Sequence, residues 1–207
     1  MDNKIKITRI TEGCFLQKGF DNGPFKGCFN AKCGEDQKGD ACCRYGCDVD
    51  KESYDLMMIN REIVEAAIGQ PLSLAFKGRW FGTSKEEYLG GEAIRSRTRK
   101  EDGFCVFHSK NSKGCTLVKL VLDRGISKRI IPTICRIYPL AYHNNKLGTY
   151  DEILKVPIEK GCNCISEENK TTESLFIGQK NEIEDIFEIK LKETKKKVKI
   201  NSFNNNR

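Results

Sequence analysis

Residues 130–139 have the sequence IIPTICRIYP, in which Pro132 and Pro139 enclose a single cysteine, Cys135. Proline locks its own φ angle and disfavours a helical conformation in the residue before it. The stretch is therefore predicted to be extended, with the two prolines fixing the backbone around the thiol. Such a segment holds one cysteine on a rigid backbone, so its role depends on the other cysteines of the chain.

The chain is rich in cysteine, with eleven among its 207 residues. Its N-terminus has no apolar stretch of signal-peptide length, and no window approaches the ~18 apolar residues of a membrane span. We therefore predict a cytoplasmic protein with no membrane association, in which the thiols stay reduced and bind metal. The alternative for any single cysteine is a small buried apolar side chain.

The kinds of ligand and their spacing distinguish between metal sites. Thiolate sulfur suits zinc and iron–sulfur clusters, both of which commonly take four cysteines. Only two histidines occur, so an all-cysteine site is favoured over a His-rich catalytic zinc site. No two cysteines have the C-x-x-C spacing that builds zinc fingers and ribbons. An iron–sulfur cluster of the 4Fe-4S kind is therefore favoured, with zinc as the alternative.

Two local features of the cysteine pattern leave alternatives open. Cys42 and Cys43 are adjacent, so they can serve separate metals or opposite faces of one site, or provide one ligand and one buried thiol. His108 follows Cys105 closely and could ligate metal, but a loop histidine is the favoured interpretation. His143 is interpreted in the same way.

The order of these motifs resembles the YkgJ-type cysteine-cluster family, whose members are described as zinc- or iron-chelating proteins. The resemblance covers roughly residues 28–164. In one place the sequence departs from the family, because eight residues separate Cys33 from Cys42 where the family usually has only a few. The matching elements are Cys28-x4-Cys33, Cys42-Cys43, Phe104-Cys105-Val106-Phe107, Gly114-Cys115 and the Ile131-Pro132-Thr133-Ile134-Cys135-Arg136-Ile137-Tyr138-Pro139 segment.

The resemblance implies a set of metal-ligating thiols spread along most of the chain. Eight thiols can hold two four-ligand sites, or one cluster with the remainder structural. Cys47 and Cys164 are weaker candidates that each lie beside a stronger one and could replace it as a ligand, and Cys14 is also weaker. The implied ligands are Cys28, Cys33, Cys42, Cys43, Cys105, Cys115, Cys135 and Cys162.

Arg136 and Tyr138 flank Cys135 and are predicted to contact the cofactor. A metal or cluster bound by four thiolates is net negative, so a nearby cation and hydrogen-bond donors would stabilise it and tune its potential. The alternative for Arg136 is an ordinary ion pair with a surface carboxylate.

The remaining patterns predict an α+β fold, namely a small irregular metal-stabilised domain with a few helices and short β-hairpins. Residues 1–50 hold six cysteines and show little apolar periodicity, so metal–thiolate bonds would have to offset their ordering entropy. Ser53 is the predicted cap of the first helix. Helices are predicted over residues 52–68, 115–123 and 173–196, with hairpin turns at Asp102-Gly103 and Asn144-Asn145.

The chain is predicted to contain one cysteine-cluster domain, residues 1–189, and a basic tail, residues 190–207. The tail holds seven Lys/Arg and one acidic residue, which is +6 of the net charge of +7. It ends in three asparagines and an arginine, and it is predicted to be disordered. Because the rest of the chain is nearly neutral, nucleic acid is disfavoured as a partner.

These predictions favour a metal-binding protein whose site serves structure, electron transfer or metal handling. Its expected partners are a metal ion or cluster and a protein redox partner. Flagellin lysine methylases resemble the family in their cysteine motif, so a metal-dependent modifying enzyme with protein methylase-like activity is one alternative. It rests on that analogy, since the sequence has no nucleotide-binding glycine motif and no catalytic triad. A zinc-stabilised partner-binding module is the other.

Overall fold

The computed structural model describes residues 4–7, 9–10, 15–16, 40–82, 88–112, 114–150, 153, 165–166, 176, 179–194 and 197–203. Several predicted ligands lie outside these residues, namely Cys28, Cys33 and Cys162, together with the weaker candidates Cys14 and Cys164.

The described elements mix helices with small sheets, and the predicted α+β class is confirmed. None of the helices in this part of the chain has the length and apolar character that a membrane span needs. The helices are α1 (Lys51–Ile59), α2 (Arg61–Ile68), α3 (Thr116–Arg124), α4 (Thr133–Ile137) and α5 (Lys180–Ile186). Short 3-10 turns occupy Ala41–Tyr45, Leu72–Leu74 and Lys128–Ile130. The strands are β1 (Arg9–Ile10), β2 (Phe15–Leu16), β3 (Asp48–Asp50), β4 (Phe76–Phe81), β5 (Ala93–Ser96), β6 (Leu140–His143), β7 (Lys146–Thr149), β8 (Ile165–Ser166), β9 (Ile189–Thr194) and β10 (Lys197–Phe203).

The larger apolar core lies between an antiparallel sheet and helices α1, α2 and α3. The sheet has the order β3–β5–β4, so β5 is its central strand. Val49 of the sheet packs with Met57, Val64 and Leu117 of the three helices, and all four are fully buried. Burying a side chain of this size contributes about 1.5–3 kcal/mol. This core holds the cysteine-bearing segments described below.

The predicted helix over residues 52–68 is two helices in the structure. Asn60 leaves the helical conformation, with φ −101° and ψ 27°, and separates α1 from α2. Asp50 caps α1, because its Oδ1 accepts a hydrogen bond from the Ser53 backbone N–H at 2.9 Å. Ser53, which was predicted to cap the helix, instead donates the hydrogen bond that the capping residue Asp50 accepts. The prediction for residues 115–123 is close to α3, which Gly125 ends in a left-handed conformation.

The stretch between the two prolines is helical rather than extended. Thr133–Ile137 form one turn, α4, directly after Pro132 and before Tyr138. Proline is tolerated before the first turn of a helix, where no backbone N–H is needed, and a following proline ends a helix. Asp50 reinforces the turn, because its Oδ2 accepts from the Thr133 backbone N–H at 2.9 Å. The prolines therefore bracket a short helix instead of preventing one.

A second core packs sheet β1–β7–β6 against α5 and β9. The predicted hairpin turn at Asn144-Asn145 is present between β6 and β7, with both asparagines at positive φ. The N-terminal segment joins this core through Ile5, which exchanges backbone hydrogen bonds with Ile186 and Glu188 at 2.9 Å each. Chain segments that are far apart in sequence are thereby packed into one core.

The C-terminal region differs from the predicted long helix and disordered tail. Among the described residues of that predicted helix, Phe176 and Lys180–Ile186 are helical, and the chain then enters β9. Strand β9 pairs with β10 in an antiparallel hairpin, so the predicted boundary at residue 190 falls inside a strand. Ile189 and Leu191 are buried while Lys190 between them is exposed, which is the period of a strand rather than a helix.

An ion-pair network joins α5 to α4 and to the 3-10 turn before it. Arg136, whose side chain is 1% exposed, donates from Nε and Nη2 to Glu182 Oε2 at 2.8 Å and 2.5 Å. The same guanidinium also pairs with Asp185. Lys128 lies 2.8 Å from Glu182, and Arg129 lies 3.4 Å from Asp185. Arg136 therefore forms an ion pair, as in its alternative role, but its partner Glu182 is buried and not a surface carboxylate.

Candidate metal centre

Six cysteines from distant parts of the sequence come together beside the larger core. All are free thiols, and electrostatic interactions or hydrogen bonds connect each of them to others in the group. We call this group the thiol cluster; it consists of Cys42, Cys43, Cys47, Cys105, Cys115 and Cys135. It contains every described member of the implied ligand set.

Short-range backbone geometry places the thiols of the first segment. Cys42 and Cys43 lie in the 3-10 turn Ala41–Tyr45, where the Cys43 N–H donates to the Asp40 carbonyl at 2.8 Å. The Cys43 carbonyl in turn accepts from the Cys105 N–H at 2.6 Å. This contact joins two segments that are more than sixty residues apart.

Three further thiols are placed by a helix start, a short helix and a hairpin. Cys115 is the residue immediately before α3, and it forms an isolated antiparallel bridge with His108. Cys135 lies within α4, with its N–H donating to the Pro132 carbonyl at 2.8 Å. The hairpin around Asp102-Gly103 carries Cys105, which bridges to Thr98.

Cys47 has the most direct thiol contacts of the cluster. Its side chain interacts with those of both Cys105 and Cys135, and each interaction shifts its pKa. Cys42 and Cys43 form a second hydrogen-bonded pair. Sequence reasoning ranked Cys47 among the weaker candidates, whereas the structure places it close to two implied ligands, Cys105 and Cys135.

The environment of the cluster favours neutral thiols. The hydrogen bond with Cys42, burial and neighbouring thiols raise the pKa of Cys43 well above its usual value. Burial raises the pKa of Cys115 to about 12. For Cys47, the hydrogen bond with Cys105 lowers the pKa, but the hydrogen bond with Cys135 and burial outweigh it and raise the pKa well above normal. A cation is the partner that would stabilise thiolates in such a place.

Cys105 and Cys135 show the same tendency. The hydrogen bond with Cys47 and burial raise the pKa of Cys105 well above normal. The hydrogen bond with Cys47 lowers the pKa of Cys135, but burial of the sulfur and nearby thiols outweigh it, so the pKa is raised. Cys135 as a residue is nevertheless exposed. We infer that its sulfur faces the cluster while the rest of the residue faces solvent, which puts Cys135 at the solvent edge.

The donor chemistry of the cluster fits a thiophilic metal. Thiolate ligands select zinc, Cu(I) and iron–sulfur clusters over hard cations. Among the described residues, no group of three or more His, Cys, Asp or Glu side chains already has an arrangement that could hold a metal ion. The described thiols that touch one another form hydrogen bonds instead, so ligation would replace those bonds and the thiol protons by metal–sulfur bonds.

His108 is held by other groups, as expected for a loop histidine. Its Nε2 lies 2.9 Å from Asp40 Oδ2, and its Nδ1 lies 3.5 Å from Arg99 Nη2. Phe104 stacks on the ring with a centroid distance of 4.2 Å. Since Arg99 can only donate, Nδ1 accepts and Nε2 carries the proton that Asp40 accepts. Both ring nitrogens are therefore used within the protein. His143 is exposed on β6.

Asp40 ties two cysteine-bearing segments together. Its Oδ2 accepts from His108 Nε2 and from the Gly114 backbone N–H, each at 2.9 Å, and the carboxylate is buried. Asp40 precedes Cys42 by two residues, while His108 and Gly114 lie between Cys105 and Cys115. No local pattern could have identified this residue, because its partners are 68 and 74 residues away.

Asp40→Ala is expected to destabilise the protein by about 1–3 kcal/mol, because it leaves the His108 and Gly114 donors buried without an acceptor. Urea unfolding of the two proteins measures the difference. Asp123→Ala, which removes an exposed carboxylate from α3, is the control and should change stability by less than about 0.5 kcal/mol. Equal stabilities of the two variants would contradict the role given to Asp40.

Tyr138, the second predicted cofactor contact, lies at the end of α4. Its ring packs against Tyr150 with centroids 5.9 Å apart, and its carbonyl accepts from Gln179 Nε2 at 3.3 Å. These contacts join α4 to the second core. A contact between Tyr138 or Arg136 and a cofactor stays a prediction of the sequence.

Comparison of the chain with protein-family models, with curated proteins and with solved structures gives no significant match. The resemblance to the YkgJ-type family accordingly rests on the motifs quoted above, and the argument for function rests on the thiol cluster.

Proposed function

We propose that this chain is a cysteine-ligated metal-binding protein whose site is the thiol cluster, with an iron–sulfur cluster favoured over zinc. The observation that carries the proposal is the convergence of six free thiols from segments spread over residues 42–135. Buried cysteines commonly serve as small apolar side chains, but that role does not require thiols to contact thiols. Metal ligation does require it, because four sulfurs must surround one centre.

The kind of donor and its spacing support the choice of metal. Six described thiols exceed the four ligands that either a zinc ion or a 4Fe-4S cluster takes, so the preference for iron–sulfur rests on the all-sulfur donors and on the absence of C-x-x-C pairs. When bound, the metal would supply the positive charge that stabilises thiolates and would hold the cysteine-bearing segments together. The chain's own part is to keep the sulfurs buried and close, with Cys135 at the solvent edge as the point nearest to a protein redox partner.

The proposal places the protein in a reducing compartment such as the cytoplasm. Thiols in hydrogen-bond contact, such as Cys47 and Cys105, would be prone to oxidation elsewhere. Free thiols are also the form in which cysteines can accept metal.

Metal and sulfide analysis of protein purified without oxygen tests the proposal. We expect iron and acid-labile sulfide in the protein, a brown colour and broad absorbance at ~400 nm. A colourless protein with stoichiometric zinc would support the proposed metal site but overturn the iron–sulfur assignment. Protein that contains neither metal, and takes up neither after reconstitution with iron and sulfide or with zinc, would overturn the proposal itself.

A further inference from the structure

Ser96 places a hydroxyl between two thiols of the cluster. The residue ends β5 and is 0% exposed. Its Oγ lies 3.6 Å from Cys47 Sγ and 3.5 Å from Cys105 Sγ, both within hydrogen-bond range for sulfur. None of the sequence motifs included this residue.

The backbone around Cys47 holds the Ser96 hydroxyl in position. Its Oγ accepts from the Cys47 backbone N–H at 2.8 Å, and the Ser96 N–H donates to the Cys47 carbonyl at 2.9 Å. Gly46 makes this approach possible, since a Cβ at that position would lie 2.9 Å from Ser96 Oγ. Gly46 also has φ +69°, a backbone conformation that residues with a side chain rarely adopt. The close contact thus depends on a glycine next to a cysteine.

The direction of the hydrogen bond follows from the chemistry of the partners. Ser96 Oγ accepts a hydrogen bond from the Cys47 N–H, so its own hydroxyl proton can be donated to a sulfur. A thiol can donate or accept, but a metal-bound thiolate has no proton and can only accept. Once Cys47 and Cys105 are thiolates, the serine hydroxyl is therefore the donor. Hydrogen bonds to an ionised acceptor are stronger than those between neutral groups.

We propose that Ser96 shares its one hydroxyl proton between the metal-bound sulfurs of Cys47 and Cys105 and so tunes the metal–thiolate bonds. The inference rests on the proposed function. It gives to Ser96 the tuning role that the sequence assigned to the neighbours of Cys135. A donor near a thiolate withdraws electron density from the sulfur, which lowers its charge donation to the metal.

The test uses Co2+ as the probe, added to the reduced metal-free protein under argon. Thiolate ligation gives a sulfur-to-cobalt charge-transfer band. In Ser96→Ala we expect the same cobalt stoichiometry with the band moved to lower energy, because the sulfur gives up its electron more readily without the donor. We also expect several-fold weaker cobalt binding, because the variant lacks the hydrogen bond from the serine hydroxyl to a charged sulfur.

Two further variants separate the hydroxyl from its packing. Ser96→Thr and Ser96→Val have nearly the same shape, and only the first keeps the hydroxyl. Thr should reproduce the wild-type band, and Val should show the shift to lower energy that is expected for Ala. If the Ala variant does not accumulate, the comparison of Thr with Val tests the same hydroxyl. A merely structural role for Ser96 would change stability in these variants without moving the band.

The outcomes distinguish this inference from the proposed function. A wild-type protein that binds cobalt, combined with unshifted bands in the Ala and Val variants, overturns the role of Ser96 and leaves the metal site intact. A wild-type protein that shows no charge-transfer band with cobalt overturns the metal site itself, and the role of Ser96 with it.

Discussion

Cys47→Ser is expected to empty the metal site and to lower the melting temperature of protein prepared with metal by about 2–4 °C for each kcal/mol of metal-binding energy that is lost. The thiol of Cys47 contacts those of Cys105 and Cys135, so its loss interrupts the described cluster where two ligand segments meet. A hydroxyl keeps the size of the side chain but is a poor ligand for a soft metal. Metal content and thermal unfolding of the anaerobic proteins provide the measurement.

The metal-free proteins supply the matched control for this substitution. Without metal, wild type and Cys47→Ser should unfold within about 1 kcal/mol of each other, because a buried hydroxyl replaces a buried thiol. The difference in stability should return only when metal is added back. Full metal stoichiometry in the variant would show that Cys47 is not a ligand, and the site would then involve other thiols of the cluster.

Arg136→Met is expected to lower the free energy of unfolding by about 3 kcal/mol, at the low end of the range for a broken buried pair, because Glu182 loses its buried partner and keeps only Lys128, whose side chain is 35% exposed. Glu182 is nearly as buried as Arg136, with side-chain exposures of 6% and 1%. Removal of the arginine therefore leaves the Glu182 charge away from water, with Lys128 as its remaining cation among the described residues. Urea unfolding measures the loss, and metal content measured in parallel shows whether the position of α4, which also carries Cys135, affects the cluster.

Two comparison variants make the Arg136 prediction specific. In Arg136→Met/Glu182→Leu no buried charge is left unpaired, so most of the lost stability should be regained. Arg129→Met removes a partly exposed arginine that lies 2.8 Å from Glu52, and a pair of that kind is worth about 0–1 kcal/mol. If Arg129→Met costs as much as Arg136→Met, the destabilisation does not come from an unpaired buried charge.

Much of the local structure could be predicted from the sequence because its causes are local. The apolar spacing of residues 115–123 and Gly125 at their end predict α3, and Asn144-Asn145 predicts the turn of β6 and β7. Predictions were wrong where a contact across the fold decided the outcome. Asp50 stabilises both α1 and α4 from one position, and it supports a helical turn between prolines where local rules favour extended backbone.

The sequence by itself determined the kind of chemistry available. Eleven cysteines against two histidines make sulfur the predominant soft donor, and the absence of C-x-x-C pairs disfavours zinc fingers, since these are properties of composition and spacing. The tertiary structure alone decided which groups meet. Cys47 beside Cys105, Ser96 between their sulfurs and Asp40 against His108 are contacts between residues 9 to 68 positions apart. Such contacts follow from the packing of β3, β5 and the loop before α3, and no periodicity along the chain encodes them.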